Sequence, residues 1–379
     1  MDKDILVNLR HTLHSLAEES SMERRTGEFL RGTLESFGVP RIVSGEEGNG
    51  LWAVFAGREQ GPTVLLRSDM DALPIAETGD LEYASLTPGV SHRCGHDGHM
   101  AIMLGVANGL VKNPPLCGTV ILMFQPSEET GQGALQMLSH DLLREFSVDY
   151  AFALHNLPGY PEGTVVVDEG TFASASEGIS VVFQGKTSHA SEPHLGVSPA
   201  SAVAQLILAI NGLAQLETGL DDHARATVIH ARVGEEAFGT SPGWGVVMAT
   251  LRSYDTLLMA KLEQRIRELA MHIAAANRLT YNIALHEVFA ATVNDSSAVS
   301  YILAACEKQG APVTVPGKPF PWSEDFGYIT DAYAGALFGL GSGEGCHPLH
   351  SDRYDFPDGI LPAGVSLFLG IVRSITGGM

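Results

Sequence analysis

The sequence predicts an α/β protein in which a central mixed sheet flanked by helices is interrupted by an inserted domain. Two observations support this fold class. Apolar runs typical of buried strands alternate with helical periodicity up to about residue 172 and again near the carboxyl end. From Glu177 to Val288 the order changes to strand, helix, strand, strand, helix, strand, which is the order of a ferredoxin-like βαββαβ unit.

The first domain begins with helix and continues with strands. Leu6, Leu9, Leu13 and Leu16 recur at helical spacing, so helix is predicted across the first 38 or so residues. AIMLGVANGLV is predicted to be a helix whose first turn carries CGHDGH at 94–99. The predicted strands of this domain are TVLL at 63–66, GTVILMF at 118–124, YAFAL at 150–154 and GALFGLGSG at 335–343.

The inserted domain has its own set of elements, and the chain then returns to the first domain through the helix NDSSAVSYILAACEKQG. The predicted bounds are 1–175 for the first part of the first domain, 176–288 for the insertion and 289–379 for the second part of the first domain. An exposed edge strand and helix of the insertion favour self-association, most simply as a homodimer. The inserted strands are GISVVFQG, ATVIHARVG, WGVVMATLRSYD and LTYNIALHEV, and the helices span 198–217 and 257–278.

Composition limits the partners of this chain. It has 379 residues, 45% of them hydrophobic, which is enough for two domains with their own cores. The formal net charge is −21 without any basic cluster, which disfavours binding to nucleic acid or to an anionic membrane. The first 20 residues lack the apolar stretch of a signal peptide or membrane span, so a cytoplasmic location is expected. Four cysteines do not resemble a secreted disulfide framework.

Polar side chains of metal-ligand type follow four of the predicted strands. Because ligands of open α/β sheets bind beyond the carboxyl ends of the strands, these side chains are expected at one edge of the sheet. With Cys94 and His96 added, they exceed what one ion needs, which suggests two divalent ions. In chain order they are Arg67 and Asp69, Glu128 and Glu129, His155, and His347 with His350.

The adjacent carboxylates of Glu128 and Glu129 suit a division of labour, in which one binds metal and the other takes a proton from water. Two other functions stay open on the residues alone. The positive end of the helix after CGHDGH favours a thiolate at Cys94, as in a metal-free cysteine hydrolase. That reading leaves both glutamates unused and places His96 only two residues from Cys94. The other function is a non-catalytic metal-binding protein.

Seven motifs, in the same order along nearly the whole chain, resemble the M20 metallopeptidase family. The closest branch contains the aminoacylases and amidohydrolases, including hippurate hydrolases, indole-acetyl-amino-acid hydrolases and N-acetyl-diaminopimelate deacetylases. The motifs are RSDMDALP at 67–74, CGHDGH at 94–99, QPSEE at 125–129, ALHN at 153–156, GKTSHASEPHLGVSP at 185–199, SEDF at 323–326 and LHSDRYDF at 349–356.

The resemblance implies a catalytic domain interrupted by a lid, and a dinuclear site with Glu128 as general base. It further implies hydrolysis of the amide bond in a small N-acyl amino acid or related amide, with a metal-dependent dipeptidase or aminopeptidase as the alternative. Zinc or manganese is expected, and cobalt and nickel also fit the ligands. The implied ligands are Cys94 in a bridging position, His96 and His155 on one ion, and Glu129 and His350 on the other.

The resemblance also assigns roles around the metals. His189 is expected to polarise the scissile carbonyl, and Arg252 to hold a substrate carboxylate. Spacing alone would let Asp97 and His99 reach the metals, but helix geometry directs Asp97 away from His96, so both are expected to orient ligands through hydrogen bonds. Asp69 is expected either to orient a ligand in the same way or to have a structural role. The chain departs from the family at 237–245, where AFGTSPGWG replaces a segment with an asparagine-containing NVIP motif. That departure leaves the acyl and amino-acid preference open.

Overall fold

A computed structural model describes residues 1–45 and 50–377 of the chain. These residues form two compact units. The first contains 1–172, 292–318 and the chain from 324 onward, and the second contains 173–291 and 319–323. The second unit thus extends three residues beyond each end of the 176–288 insertion predicted from sequence, and it includes a short later segment that the sequence did not indicate.

Several helix ends carry recognisable caps. Asp255 and Asp295 accept backbone N–H groups at the starts of the helices that begin at Thr256 and Ser296, and Gly38 and Gly310 each end a helix in the left-handed conformation. The helices are α1 (Lys3–Ser15), α2 (Arg24–Phe37), α3 (His96–Lys112), α4 (Gly133–Ser139), α5 (Asp141–Arg144), α6 (Ala200–Glu217), α7 (Thr256–Ala276), α8 (Ser296–Gln309), α9 (Gly327–Ala332) and α10 (Leu361–Thr376).

The strands alternate with these helices. They are β1 (Arg41–Ser44), β2 (Leu51–Ala56), β3 (Glu59–Asp69), β4 (Cys117–Gln125), β5 (Tyr150–Leu157), β6 (Val165–Val166), β7 (Gly170–Ala173), β8 (Ala175–Gln184), β9 (Ser188–His189), β10 (Ala224–Val233), β11 (Thr240–Ser241), β12 (Trp244–Ser253), β13 (Thr280–Phe289), β14 (Thr292–Asn294), β15 (Val313–Thr314) and β16 (Ala334–Gly341).

The first unit is built on an eight-stranded mixed sheet, as predicted. Its order is β1-β2-β4-β3-β5-β16-β6-β15. The four predicted strands are neighbours at its centre, and β4, β3, β5 and β16 run parallel. Their inner residues are buried in continuous runs, as expected of parallel strands covered on both faces. The carboxyl ends of all four strands therefore lie at one edge.

The second unit contains a four-stranded antiparallel sheet with the order β13-β8-β12-β10. Alternate residues of β8, namely Ile179, Val181 and Phe183, are buried together with Leu206 of α6 and Leu262 of α7. A second core, separate from that of the first unit, therefore supports this sheet. A two-residue pairing of β9 with β11 extends from it.

Two helices, α6 and α10 with the turn before it, are long and apolar enough to cross a membrane by length and composition. Half of the apolar window of the second helix is buried inside the protein, and its Phe368 and Ile371 belong to the core of the first unit. Apolar length alone is weak evidence of a membrane span, because core helices have the same property.

The predicted helix over the first 38 residues is interrupted. Residues 16–23 separate α1 from α2, and Ser21 within this break has a left-handed φ of 66°. In this break, the hydroxyl of Ser20 donates a hydrogen bond to Asp71, and the carboxylate of Glu18 accepts one from the backbone N–H of Thr26. Such side-chain hydrogen bonds compete with continued helix. Within this segment, we call the part from residue 18 to residue 23 the N-terminal break.

Candidate metal centre

The candidate site begins where α3 meets the edge of the large sheet. Gly95 is the residue before the helix and has a φ of 94°, which a side chain would strain. A Cβ at this position would also lie 2.7 Å from Oδ1 of Asn156. Glycine therefore allows the tight turn that places Cys94 and His96, on either side of it, in one cluster with His155.

All five ligands implied by the sequence lie in overlapping groups whose donor atoms are within 4.8 Å of one another. Sγ of Cys94 is 3.6 Å from Nε2 of His155, and Nε2 of His350 is 3.6 Å from Oε1 of Glu129. Nε2 of His96 is 3.9 Å from the carboxylates of both Glu128 and Glu129. The contact of Cys94 with His155 is a weak sulfur hydrogen bond, and the other separations exceed hydrogen-bonding distance. Both kinds of separation suit atoms that could share an ion.

The hydrogen bonds of the two imidazoles orient their rings. Nδ1 of His96 lies 2.9 Å from the carbonyl oxygen of Asp71, and Nδ1 of His155 lies 2.8 Å from that of Asn156. Since a carbonyl only accepts, each Nδ1 carries a proton, and Nε2 of each ring is directed towards the cluster. Nε2 of His96 and Oε1 of Glu129 are buried without a hydrogen-bond partner among the described residues. The donor set therefore fits divalent transition metals.

The pKa values of the cluster reflect its burial and its acidic side chains. Burial raises the pKa of Cys94, and Glu129 and Glu128 raise it further. The start of α3 alone therefore does not provide the thiolate expected from sequence, and the metal-free cysteine hydrolase loses its main argument. Burial lowers the pKa of His96, but Asp69, Asp71 and Glu129 outweigh it and raise the pKa to about 10. Burial lowers the pKa of His155 to about 3, which keeps this imidazole in the neutral, metal-binding form.

Glu128 differs from Glu129 in its neighbours. It belongs to a second buried group of carboxylates, with Glu324 and Asp325 of the SEDF motif. Burial raises the pKa of Glu128, and the charge of Glu324 raises it further. A carboxylate that has a raised pKa and lies beside the cluster of candidate metal ligands is suited to accept a proton from water near neutral pH.

Arg67 balances this second carboxylate group. Its fully buried guanidinium forms ion pairs of 2.7 Å with Asp69 and of 2.8 Å with both Glu324 and Asp325. Its Nε donates a further hydrogen bond of 2.8 Å to Gln125. Arg67 thus joins the ends of β3 and β4 to the SEDF motif in one charge network.

The residues predicted to orient ligands lie on two sides of α3. Nδ1 of His99 is 2.7 Å from Oδ1 of Asp69, and its Nε2 contacts Asn156, the residue after His155. Asp97 faces away from the cluster and accepts hydrogen bonds of 2.8 Å from both Arg10 and His14. His99 and Asp69 therefore contact the cluster of candidate ligands. Asp97 fixes the first turn of α3 on the side that faces away from this cluster.

Two further histidines that are close to the ligands in sequence, His92 and His347, have different surroundings. His92 is fully buried, neither ring nitrogen has a hydrogen-bond partner among the described residues, and burial lowers its pKa to about 3. His347 is exposed and belongs to none of the clustered groups among the described residues. His350, in contrast, joins the cluster and has a left-handed φ of 64°, so its backbone is strained at the point where its side chain meets Glu129.

The remaining predicted residues belong to the second unit. Nδ1 of His189 accepts a hydrogen bond from the backbone N–H of Ser191, which leaves the proton of a neutral ring on the exposed Nε2. Arg252 donates hydrogen bonds of 2.9 Å to the carbonyl of Pro321 and of 3.2 Å to the hydroxyl of Ser323. The segment that departs from the family pairs with His189, since Thr240 of β11 lies opposite it.

Several site residues escaped the sequence reading. Asp71 accepts a hydrogen bond from the backbone of Glu129, and the N-terminal break contacts the QPSEE loop through Ser21 and Glu23. Asp71 was visible within RSDMDALP. The clustering of serine and glutamate in EESSMER was the available signal for the break.

Fold and donor set together define a metal-dependent hydrolase with its site at the carboxyl edge of an α/β sheet. Comparison with known proteins supports this class. Residues 65–374 match the model of peptidase family M20/M25/M40. The chain therefore belongs to this family, and it is a metal-dependent amidohydrolase, as the sequence motifs predicted.

The relatives of the chain span nearly its full length. It is 32% identical to the N-acetyl-L-cysteine deacetylase of Bacillus subtilis, over 96% of this chain and 86% of that protein. It is 30% identical to an IAA-amino acid hydrolase of Arabidopsis thaliana, over 96% of this chain and 83% of the relative. A dinuclear metal-binding peptidase of the M20 family from Bacillus subtilis has a crystal structure similar to this one. Its TM-score is 0.83 at 25% identity, over 100% of this chain and 99% of the other.

Proposed function

We propose that the protein hydrolyses the amide bond of N-acyl amino acids, using two divalent metal ions and Glu128 as general base. The observation that carries the proposal is a pair of buried atoms without a hydrogen-bond partner in the described part of the chain, Nε2 of His96 and Oε1 of Glu129, beside the Cys94 thiol. Two relatives are named for substrates in which an amino acid is joined through an amide to an acyl group. This supports the same substrate class here.

Cys94, His96, Glu129, His155 and His350 would hold the ions. Cys94 belongs both to the group with His96 and His155 and to the group with Glu129 and His350, which supports a bridging position. Divalent ions in such a site supply Lewis acidity, which lowers the pKa of water and polarises a carbonyl. Zinc or manganese matches the donors best, since thiolate, imidazole and carboxylate are all present.

Glu128 takes the proton from the attacking water and later delivers it to the departing nitrogen. Its carboxylate is 5% exposed, so little bulk water competes for that proton. The charge of Glu324 favours the protonated form, which Glu128 must hold between the two transfers. Arg67 holds the side chains of Glu324 and Asp325 in place through ion pairs of 2.8 Å.

The second unit supplies the remaining groups of the proposal. Its βαββαβ element order and its sheet order support the proposal of a ferredoxin-like lid. Nε2–H of His189 donates to the carbonyl oxygen as negative charge develops there. Arg252, whose guanidinium keeps donors beyond those used by Pro321 and Ser323, binds the substrate carboxylate. The edge strand β10, with Ile229 60% exposed, supports association of two copies through this unit.

A substrate panel tests the proposal. The purified chain is assayed on N-acetyl and N-benzoyl amino acids and on unblocked dipeptides, as isolated, after chelation, and after readdition of zinc or manganese. We expect the N-acyl amino acids to be hydrolysed faster, with activity lost on chelation and restored by metal. Faster cleavage of unblocked dipeptides would instead favour the dipeptidase or aminopeptidase reading.

Glu128→Gln gives the matched test of the general base. It preserves the shape of the side chain but removes its ability to accept and return a proton. Glu28→Gln, on the exposed face of α2, makes the same chemical change at a side chain 69% exposed and serves as the control. Near-normal turnover in Glu128→Gln would remove this residue from the proposed role.

A further inference from the structure

The loop that carries Glu128 and Glu129 is bound to a part of the chain more than 100 residues away. Ser127, the residue before Glu128, has a left-handed φ of 54°, which is unfavourable for a residue with a side chain. Such a conformation persists only where neighbouring contacts determine it. The strain lies next to the proposed general base, so the contacts of Ser127 also decide how Glu128 is held.

Each polar group of Ser127 has a partner. Its N–H donates a hydrogen bond of 2.7 Å to Oε1 of Glu23, and its hydroxyl lies 2.9 Å from that of Ser21. Its carbonyl accepts a hydrogen bond of 3.1 Å from the N–H of Gly133. Two of these partners come from the N-terminal break, and the carboxylate of Glu23 is the only charged one among them.

The other side of Glu128 is fixed by a second carboxylate. The N–H of Glu129 donates a hydrogen bond of 3.0 Å to Oδ2 of Asp71, and the same oxygen accepts a bond of 2.7 Å from the hydroxyl of Ser20. Both Glu23 and Asp71 are fully buried. The backbone N–H groups immediately before and after Glu128 are therefore each held by a buried carboxylate.

We propose that Glu23 is a positioning residue for catalysis. It holds the backbone of Ser127 so that the carboxylate of Glu128 is oriented for proton transfer while that of Glu129 is oriented to bind metal. The inference rests on the proposed role of Glu128 as general base. Hydrogen bonds to a charged or partly charged carboxylate are stronger than neutral ones, and they act here on a strained residue. Without the bond from Glu23, the peptide before Glu128 relaxes towards ordinary φ values and the carboxylate of Glu128 moves.

The test compares Glu23→Leu with Glu23→Gln in the full-length, metal-loaded protein. Glutamine still offers an amide oxygen to the N–H of Ser127, whereas leucine fills similar space without an acceptor. We expect Glu23→Leu to lower kcat by about 10- to 100-fold at an unchanged KM and metal content, since small displacements of a reacting group have effects of this size. Glu23→Gln should restore kcat to within about threefold of the parent.

Two measurements separate positioning from stability. Thermal unfolding and metal content give the folded, loaded fraction of each variant, and Glu28→Leu on the exposed face of α2 controls for the loss of a glutamate. A purely structural role for Glu23 predicts a lower melting temperature with normal kcat per folded, loaded chain. That result, or equal kcat in the leucine and glutamine variants, would overturn the inference.

Hydrogen exchange, resolved to single amides, tests the contact without any assay of activity. We expect the amide of Ser127 to exchange faster in Glu23→Leu and to stay protected in Glu23→Gln, while the amide of Glu129 stays protected in both because Asp71 holds it. If the parent hydrolyses no amide but this exchange pattern appears, the proposed function fails and the anchoring of Ser127 stands. Unchanged exchange at Ser127 would overturn the anchoring itself.

Discussion

Arg67 provides the sharpest stability prediction, because one buried guanidinium balances three carboxylates. In Arg67→Met, the ion pairs of 2.7 to 2.8 Å with Asp69, Glu324 and Asp325 are lost while the carboxylates stay buried. Removing one partner of a buried ion pair costs about 3–5 kcal/mol, because the remaining charge is uncompensated. The guanidinium is only 1% exposed, so solvent screening does not reduce this figure much.

Chemical denaturation followed by far-UV circular dichroism measures this loss. We expect Arg67→Met to lower the free energy of unfolding by about 3–5 kcal/mol. Arg67→Lys should fall between the parent and this variant, since one ammonium keeps the charge but cannot reach all four acceptors. Arg24→Met is the control, because Arg24 pairs with Glu28 on the surface at 3.4 Å and is 81% exposed. A loss below about 1 kcal/mol in Arg67→Met would refute the reasoning.

Three further predictions follow from other parts of the site. Glu128→Gln should lower kcat by about 10²- to 10⁴-fold without changing the metal content, which elemental analysis checks. Gly95→Ala should reduce both stability and metal affinity, because its Cβ would clash with Asn156 at 2.7 Å and the left-handed φ would be strained; calorimetric titration with zinc measures the second effect. Burial, followed by the charge of Asp71, raises the pKa of Glu23 from 4.5 to about 7. The folded, metal-free protein therefore binds more protons than the unfolded chain between these values, so stability should fall as pH rises from about 4.5 to 7 by up to about 3 kcal/mol. Glu23→Gln should remove that part of the pH dependence, and an unchanged pH profile would contradict the assignment.

The sequence placed several candidate site residues after apolar runs, and these runs form neighbouring parallel strands in the sheet. Arg67, Glu128, His155 and His350 each follow an apolar run, and the parallel arrangement of β4, β3, β5 and β16 brings those runs to one edge. CGHDGH was correctly placed at a helix start, because Gly95 allows the turn and the apolar run after it is helical. Local pattern was sufficient for these residues.

Contacts between distant segments could not be predicted from the local sequence pattern. Glu324 meets Arg67 across more than 250 residues, and Glu23 meets Ser127 across more than 100. Neither contact leaves a periodic trace in the sequence, since each is made by a single polar side chain in a loop. The break after α1 was missed for a related reason. The leucine spacing continues through Leu16, while Ser20 and Ser21 in the break form hydrogen bonds with distant parts of the chain.

The central claim is that five residues hold the metal ions while Glu128 performs the chemistry. Metal content per chain, measured beside the rate of N-acetyl-amino-acid hydrolysis in Glu128→Gln and Glu129→Gln, tests it most directly. We predict two ions and almost no turnover in Glu128→Gln, and fewer ions together with lost turnover in Glu129→Gln. Loss of metal in Glu128→Gln with full metal in Glu129→Gln would reverse the two roles, and hydrolysis that persists in metal-free parent protein would contradict the account as a whole.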